Sequence, residues 1–274
     1  MVKKGEFRMI RYKKLAQGRT ADIYYWEENK VLKLFIGVFP RKTAQKEFSI
    51  VRELAKKRLP VPEVYELINH EGRWGIIFER VNGVTMLEKI SSSPEKVMGE
   101  ARKLAELHKS FQIKVDVSLP GFKSFIKESI SRVKEINEKN RDYLLEKLNQ
   151  LPEGDKLCHG DFHPDNVIIG REKAMVIDWV TAAVGDPLAD VARTSIIFKF
   201  GALPEQKSEP EIRAVNLLRK KFYNEYITHY IKITGSDCNL IKQWELPLAA
   251  ARLEERIPPQ EKKALLDFVE GNFV

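Results

Sequence analysis

Residues 158–169 read CHGDFHPDNVII, so that two histidines, two aspartates and an asparagine come directly before an apolar run. Three kinds of structure would use such a mixture: a metal site, a structured turn, or a catalytic loop. The turn would need only Asp165 and Asn166. The metal site would use four alternating side chains, those of His159, Asp161, His163 and Asp165.

The spacing argues against the metal site. Side chains at alternating positions share a face of an extended chain, but Pro164 bends the chain before Asp165. The histidines left elsewhere to complete a hydrolytic zinc shell are His70, His108 and His229. A metal-dependent hydrolase that uses His159, Asp161 and His163 is therefore disfavoured, and it is kept as an alternative to the catalytic-loop interpretation.

The spacing favours a phosphoryl-transfer loop. In such a loop an aspartate takes the proton of the attacking hydroxyl, and an asparagine five residues later holds a metal ion on the phosphates. Asp161 and Asn166 have this D-x-x-x-x-N spacing. The segments NVIIG and AMVIDW predict a hairpin across REK, which would return Asp178 to the side of Asn166. The sequence therefore predicts two metal ligands, Asn166 and Asp178, beside the proposed base Asp161.

Three motifs in register resemble the aminoglycoside phosphotransferase family. They are HGDFHPDNVII, IDWV at 177–180 and GDPLAD at 185–190. This family is a small-molecule branch of the protein-kinase-like superfamily and is related to choline, fructosamine and methylthioribose kinases. The resemblance covers roughly residues 15 to 200. It implies phosphate transfer from ATP or GTP, with Mg²⁺ as cofactor.

The expected fold is α+β and bilobal. Short strands and the helix TAQKEFSIVRELAKK predict an N-terminal antiparallel sheet with one main helix. After residue 82 the pattern becomes mainly helical, and PEKVMGEARKLAELHKSF predicts a helix capped by Ser93. The apolar stripe of that helix is Val97, Ala101, Leu104, Leu107 and Phe111. We expect a nucleotide-binding lobe over 1–82 and a catalytic and acceptor-binding lobe over 83–274.

Lys33 is the candidate phosphate-binding lysine of the N-terminal lobe. It lies in VLKLF, in an otherwise apolar strand, and kinase-like enzymes pair such a lysine with a glutamate of the next helix. Glu47 and Glu53 compete for this role. A helical wheel places Glu47 in the middle of the apolar arc and Glu53 on the solvated face. Because a buried glutamate is costly unless it is paired, Glu47 is the predicted partner.

The resemblance implies further site residues. Gly18, Arg19 and Thr20 would occupy the nucleotide loop, and the carbonyl of Glu79 and the N–H of Val81 would contact the adenine edge, with Phe78 as a pocket wall. Two more residues would be structural: His159 would orient the loop, and Asp190 would accept hydrogen bonds from the catalytic-loop backbone. Trp179 and Val180 stand where protein kinases carry Phe and Gly, and this departs from protein kinases but not from the family that the sequence resembles.

Composition narrows the functional classes. The chain has 274 residues, two cysteines and a charged start, MVKKGEFRMIRYKK, which predict a reducing, cytoplasmic setting. Asp178 and Lys199 interrupt its apolar stretches, so no membrane span is expected. The net charge is +8, but the lysines and arginines alternate with glutamates along most of the chain. LRKKF at 218–222 is a tight basic cluster without interleaved aromatic residues, so a nucleic-acid partner is not expected. The sequence does not indicate an oligomeric state.

The acceptor is expected to be a small molecule. Only WVTAAV separates Asp178 from GDPLAD, which is too short for the peptide platform of a protein kinase. The sequence leaves open an aminoglycoside-like compound, a sugar or an amino-alcohol. An acidic pocket for a polycationic acceptor would draw on Asp237, Glu245, Glu254 and Glu255. A catalytically weak, kinase-like binding protein is a further alternative, although Lys33, Glu47, Asp161, Asn166 and Asp178 are all retained.

Overall fold

The computed structural model describes residues 13–18, 20–37, 41–202 and 208–273. The chain divides into two compact units, Met1–Asn82 and Gly83–Val274. Within the described residues, no helix is both long enough and apolar enough to cross a membrane.

The first unit contains a five-stranded antiparallel sheet in the order β1-β2-β3-β5-β4. Its strands are β1 (Lys14–Gln17), β2 (Ala21–Glu27), β3 (Lys30–Phe35), β4 (Val64–His70) and β5 (Arg73–Glu79). The β4–β5 hairpin turns through Glu71 and Gly72, whose φ angles are 51° and 80°. Two positive φ angles match the twist of a tight hairpin, and Gly72 adopts this conformation at no steric cost.

Helix α1 (Arg41–Lys56) follows β3. Its buried side chains recur at helical spacing and are Ala44, Glu47, Ile50, Val51 and Leu54. On the central strand β3, Leu32 and Leu34 join Ile77 in an apolar cluster, so alternation points Lys33 to the other face.

The second unit is mainly helical. Its helices are α2 (Met86–Ser92), α3 (Val97–Phe111), α4 (Phe122–Arg132), α5 (Glu138–Asn149), α6 (Pro187–Phe200), α7 (Glu209–Thr234), α8 (Cys238–Arg252) and α9 (Pro259–Glu270). Its strands are β6 (Gly83–Thr85), β7 (Lys156–Cys158), β8 (Val167–Gly170), β9 (Ala174–Val176) and β10 (Ala183–Gly185). They form a sheet in the order β6-β8-β9 and the pair β10-β7. The predicted α+β class, with an N-terminal antiparallel sheet and a mainly helical C-terminal part, is confirmed.

Two local predictions near α3 are wrong. The Ser93 side chain makes no capping hydrogen bond, because a 3₁₀ turn over Pro94–Lys96 separates it from the helix. The cap of this region lies earlier, where Thr85 and Glu88 form a capping box at the start of α2. Leu107 is only half-buried, and the fully buried position beside it is taken by His108.

Candidate active site

The HGDFHPDN segment, residues 159–166, forms the loop between β7 and β8. Gly160 has a φ of +79°, which glycine adopts without strain. A Cβ atom at this position would lie 2.9 Å from the carbonyl oxygen of Thr181. The loop can therefore turn sharply just before Asp161 while it packs closely on the segment that follows Asp178.

Asp190 holds the loop by its backbone amides. Its Oδ2 atom accepts the N–H of His159 at 2.6 Å, and its Oδ1 atom accepts the N–H of Gly160 at 2.8 Å. Asp190 is fully buried. Burial by itself would raise the pKa of its carboxyl, but the hydrogen bonds from the ring of His108 and from the backbone N–H of His159 hold that pKa below its ordinary value. The carboxylate stays ionised and acts as a fixed acceptor, as the sequence predicted for this position.

His108 extends this contact to another helix. Its Nε2 atom lies 3.0 Å from Oδ2 of Asp190, and its Nδ1 atom lies 2.6 Å from the hydroxyl of Tyr226 on α7. A ring with a proton on Nε2 and a free lone pair on Nδ1 satisfies both contacts, since it donates to Asp190 and accepts from Tyr226. His108 was not predicted to support the loop, because it lies outside the predicted stripe of α3.

Three more side chains hold the carbonyl groups of the loop. The hydroxyl of Thr181 donates to the carbonyl of His159 at 2.8 Å. Arg193 donates from Nε to the carbonyl of Gly160 at 3.1 Å, and Thr194 donates from its hydroxyl to the carbonyl of Phe162 at 2.8 Å. None of these three contacts was predicted from the sequence. Arg193 and Thr194 stand three and four positions after Asp190, so both lie on the same face of α6 as Asp190, and this spacing could have indicated them.

Asp161 projects from the centre of this fixed backbone. Its side chain is 34% exposed, and its Oδ2 atom lies 3.5 Å from Nε2 of His163. Burial alone would raise the pKa of the Asp161 carboxyl, but the hydrogen bond and charge of His163 and the charges of Arg193 and Arg252 hold that pKa well below its usual range. Asp161 is therefore a carboxylate, which accepts protons and hydrogen bonds but donates none.

Asn166 and Asp178 lie at the same end of the β8–β9 hairpin. The Nδ2 atom of Asn166 donates to the carbonyl of Asp161 at 2.8 Å, and this orientation leaves the amide oxygen as the atom for a cation. The N–H of Ile177 donates to the carbonyl of Asn166 at 3.0 Å. Asp178 follows immediately in the left-handed conformation, with φ and ψ of 64°. A hard cation prefers such oxygen donors, so this pair fits Mg²⁺.

The hydrolase alternative does not fit this loop. His159 is fully buried, and its Nε2 atom lies 3.0 Å from the carbonyl of Ile177, while its Nδ1 atom accepts the N–H of Asp161 at 3.3 Å. Burial lowers the pKa of its imidazole. Both ring nitrogens serve the backbone, as predicted for an orienting residue. In the described part of the chain, no group of three or more His, Cys, Asp or Glu side chains is placed to hold a metal ion.

In the first unit, Lys33 pairs with Glu47. The Nζ atom of Lys33 lies 2.8 and 2.9 Å from the two carboxylate oxygens, and Glu47 is fully buried. Glu53 instead faces Lys56 and Lys57 at 3.8 and 3.7 Å. The pairing predicted from the helical wheel is therefore confirmed, while the contact of Lys33 with a nucleotide stays a prediction.

The other predicted nucleotide contacts lie in the β1–β2 turn and at the end of β5. The N–H of Gly18 donates to the carbonyl of Ala21 at 2.8 Å, so this amide closes the β1–β2 turn. Thr20 accepts the N–H of Ile36 at 2.8 Å through its carbonyl, which leaves its side chain outside that contact. Arg19 lies outside the described residues.

Glu79 and Val81 stand at the end of β5. The N–H of Glu79 donates to the carbonyl of Glu63 at 2.8 Å, and the N–H of Arg80 donates to the carbonyl of Asn29 at 2.8 Å. These bonds fix the two peptide groups that flank the Cα atom of Glu79, and the second of these groups contains the Glu79 carbonyl. The roles of the Glu79 carbonyl and the Val81 N–H stay predictions.

A family model matches most of this chain. The model describes the phosphotransferase enzyme family (APH) and matches residues 11–209.

Solved kinases are similar in fold. A thermostable mutant of aminoglycoside phosphotransferase APH(4)-Ia in ternary complex with AMP-PNP and hygromycin B is 17% identical, with a TM-score of 0.65 over 95% of this chain and 92% of that chain. Amicoumacin kinase hAmiN in complex with AMP-PNP, Ca²⁺ and Ami is 13% identical, with a TM-score of 0.66 over 97% and 90%. The streptomycin–ATP–APH(2")-IIa complex is 18% identical, with a TM-score of 0.61 over 96% and 92%. These likenesses show the protein-kinase-like fold.

One curated relative is much longer. Acyl-CoA dehydrogenase family member 10 of Mus musculus is 26% identical over 182 residues, which are 56% of this chain and 17% of the mouse protein. The chain therefore spans only a small part of that relative.

Proposed function

The chain belongs to the phosphotransferase enzyme family, and from this premise we propose that it moves the γ-phosphate of ATP or GTP to a hydroxyl group of a small molecule. The observation that carries the proposal is the arrangement of Asp161, Asn166 and Asp178 around one hairpin end. The asparagine bonds the backbone of Asp161, and the strand pairing holds Asp178 next to that asparagine. A base and two metal ligands in this arrangement suit phosphate transfer.

Asp161 would act as the base. Its carboxylate accepts the proton of the acceptor hydroxyl as the oxygen of that hydroxyl bonds to the γ-phosphorus, and the bond from phosphorus to the β–γ bridging oxygen breaks. The nucleoside diphosphate leaves with the electron pair of that bond. The low pKa of Asp161 keeps the group charged before the reaction, and the fixed loop backbone aims it. Such alignment contributes to rate because the geometry is set before the substrate arrives.

Asn166 and Asp178 would hold the cation. When bound, Mg²⁺ neutralises charge on the β and γ phosphates and orients them. The protein supplies only two side chains, as is usual for Mg²⁺ bound with phosphates, which provide further oxygen ligands together with water. His159 and Asp190 support this arrangement through the backbone and would touch neither the metal nor the substrate.

The first unit would bind the nucleotide. Lys33 would contact the α and β phosphates while Glu47 fixes its position, with Gly18 and Thr20 at the phosphate loop and with Glu79 and Val81 at the base. The ion pair supports this role, because a lysine held by both carboxylate oxygens of a buried glutamate is fixed in one direction.

The acceptor would be an aminoglycoside-like compound, a sugar or an amino-alcohol. Hygromycin B, streptomycin and amicoumacin accompany the structurally similar kinases and make useful first probes. Two of the four residues expected to form an acidic pocket already have cationic partners, because Glu245 is paired with Lys199 and Glu255 with Arg193. Neutral or singly charged acceptors therefore belong in the same screen.

A phosphate-transfer screen tests the proposal. The protein is incubated with Mg-ATP or Mg-GTP and with a panel of these antibiotics, sugars and amino-alcohols, and release of the nucleoside diphosphate is measured. We expect at least one acceptor to stimulate release, and we expect the Asp161→Asn variant to abolish the stimulation. Nucleotide binding without turnover on any acceptor would instead indicate a binding protein.

A further inference from the structure

The face of α6 that holds the catalytic loop carries a buried arginine. Arg193 is 5% exposed, and its Nε atom donates to the carbonyl of Gly160 at 3.1 Å. That carbonyl belongs to the same planar peptide group as the N–H of Asp161. The other side of this group is held by the ring of His159, which accepts the N–H of Asp161 at 3.3 Å. Arg193 therefore fixes the peptide from which the carboxylate of Asp161 projects.

Arg193 is itself fixed from the C-terminal helices. Its Nη2 atom lies 2.6 Å from Oε1 of Glu255, in the connection between α8 and α9. The other carboxylate oxygen of Glu255 accepts a hydrogen bond from Nη1 of Arg252 at 3.0 Å. Arg252 also donates from Nε to Oε1 of Glu261 at 2.6 Å. The guanidinium of Arg193 thus donates to the loop backbone through Nε and to Glu255 through Nη2. A lysine cannot reproduce this, because its charge sits on a single atom without a planar fork.

We propose that Arg193 is a positioning residue for the transfer step, which acts through Asp161, and that Glu255 holds Arg193 in this position. The inference rests on the proposed function, since it assumes that Asp161 is the base. It goes beyond that function because it assigns a role in the transfer step to a residue of α6 and to a residue of the α8–α9 connection.

A purely structural role would have a different consequence. If the ion pair of Arg193 and Glu255 only joined helices, its loss would lower stability and would reduce every activity in proportion to the folded fraction. If Arg193 aims Asp161, its loss lowers the rate of transfer in fully folded protein. Misplacement by about 1 Å can cost about a hundredfold in rate.

The test uses Mg-ATP with water as acceptor, so that no acceptor needs to be known. The variants are Arg193→Lys, Arg193→Gln and Glu255→Gln. Arg219→Gln is the matched control, because Arg219 also donates to a backbone carbonyl, that of Gly201 at 2.6 Å, just after the end of α6. Single-turnover hydrolysis of labelled ATP, Mg-AMP-PNP affinity by calorimetry and the thermal midpoint are measured for each.

We expect the Arg193 variants to hydrolyse ATP about 10- to 100-fold more slowly, with AMP-PNP affinity within about threefold of wild type. We expect Glu255→Gln to have a smaller effect in the same direction and Arg219→Gln to leave the rate unchanged. The decisive variant combines Asp161→Asn with Arg193→Lys. If Arg193 acts through Asp161, the combined variant is no slower than Asp161→Asn alone.

Two outcomes overturn the inference while the proposed function stands. One is an Arg193 variant that behaves like Arg219→Gln, and the other is a combined variant whose loss is the product of the single losses. A wild-type protein that binds AMP-PNP but hydrolyses no ATP and phosphorylates no acceptor would overturn the proposed function itself, and the role of Arg193 with it.

Discussion

The Nε2 atom of His108 lies 3.0 Å from the carboxylate of Asp190, and both side chains are fully buried. The contact joins α3 to α6 at the residue that holds the amides of the catalytic loop. Tyr226 adds α7 through its hydroxyl. Three helices therefore support the loop through one histidine ring, and the rings of Phe111 and Phe162 pack against it with centroids 5.2 and 4.5 Å away.

We expect His108→Ala to destabilise the second unit by about 2–4 kcal/mol, since it leaves a cavity and removes a partner from a buried carboxylate. Tyr226→Phe removes only one hydroxyl and should cost about 1 kcal/mol. Denaturant unfolding followed by circular dichroism measures both. A loss below about 0.5 kcal/mol for His108→Ala would show that Asp190 does not need the histidine.

The sequence predicted the chemical groups of the loop but not the side chains that hold it. Asp161, Asn166 and Asp178 are recognisable because their spacing is local to one loop and one hairpin. Glu47 is recognisable because a single charge interrupts a helical stripe. Arg193 and Thr194 share a face of α6 with Asp190, but the backbone carbonyls that they bond come close only after folding, so the spacing alone does not identify these contacts. His108 was missed for a related reason, since it stands outside the predicted stripe of α3 and is distinguished only by its tertiary partners.

Lys33 and Glu47 provide the second prediction. We expect Lys33→Ala and Glu47→Ala each to reduce transfer, and we expect the double variant to lose less than the product of the single losses, because the two groups act as one pair. Initial rates at saturating Mg-ATP, with the acceptor found by screening, give the comparison. Glu53→Ala is the matched control, since Glu53 lies on the same helix but faces Lys56 and Lys57. Independent effects of Lys33 and Glu47, or an equal loss from Glu53→Ala, would contradict the coupling.

The third prediction concerns the cation. Asp178→Ala and Asn166→Ala should weaken the binding of Mg-ATP while leaving that of metal-free ATP nearly unchanged, because both side chains would act through Mg²⁺. Calorimetry with and without a chelator separates the two. Asp165→Ala is the control, since Asp165 is exposed and next to Asn166 in the chain. Equal affinity with and without the divalent cation in the wild-type protein would exclude both ligands.

The final prediction separates a base from a metal ligand at Asp161. Asp161→Asn preserves the shape of the side chain and removes its charge, so a base is lost while the loop keeps its backbone bonds to Asp190 and Arg193. We expect nearly normal Mg-ATP affinity and transfer slowed at least about 100-fold, the range over which general bases contribute. If Asp161 were instead part of a hydrolytic metal site, the substitution would weaken metal binding, and His163→Ala would do so comparably. Because His163 lies 3.5 Å from the Asp161 carboxylate, the kinase interpretation predicts only a modest rate effect for His163→Ala and no metal defect. Metal affinity and single-turnover transfer, measured on both variants, distinguish these mechanisms.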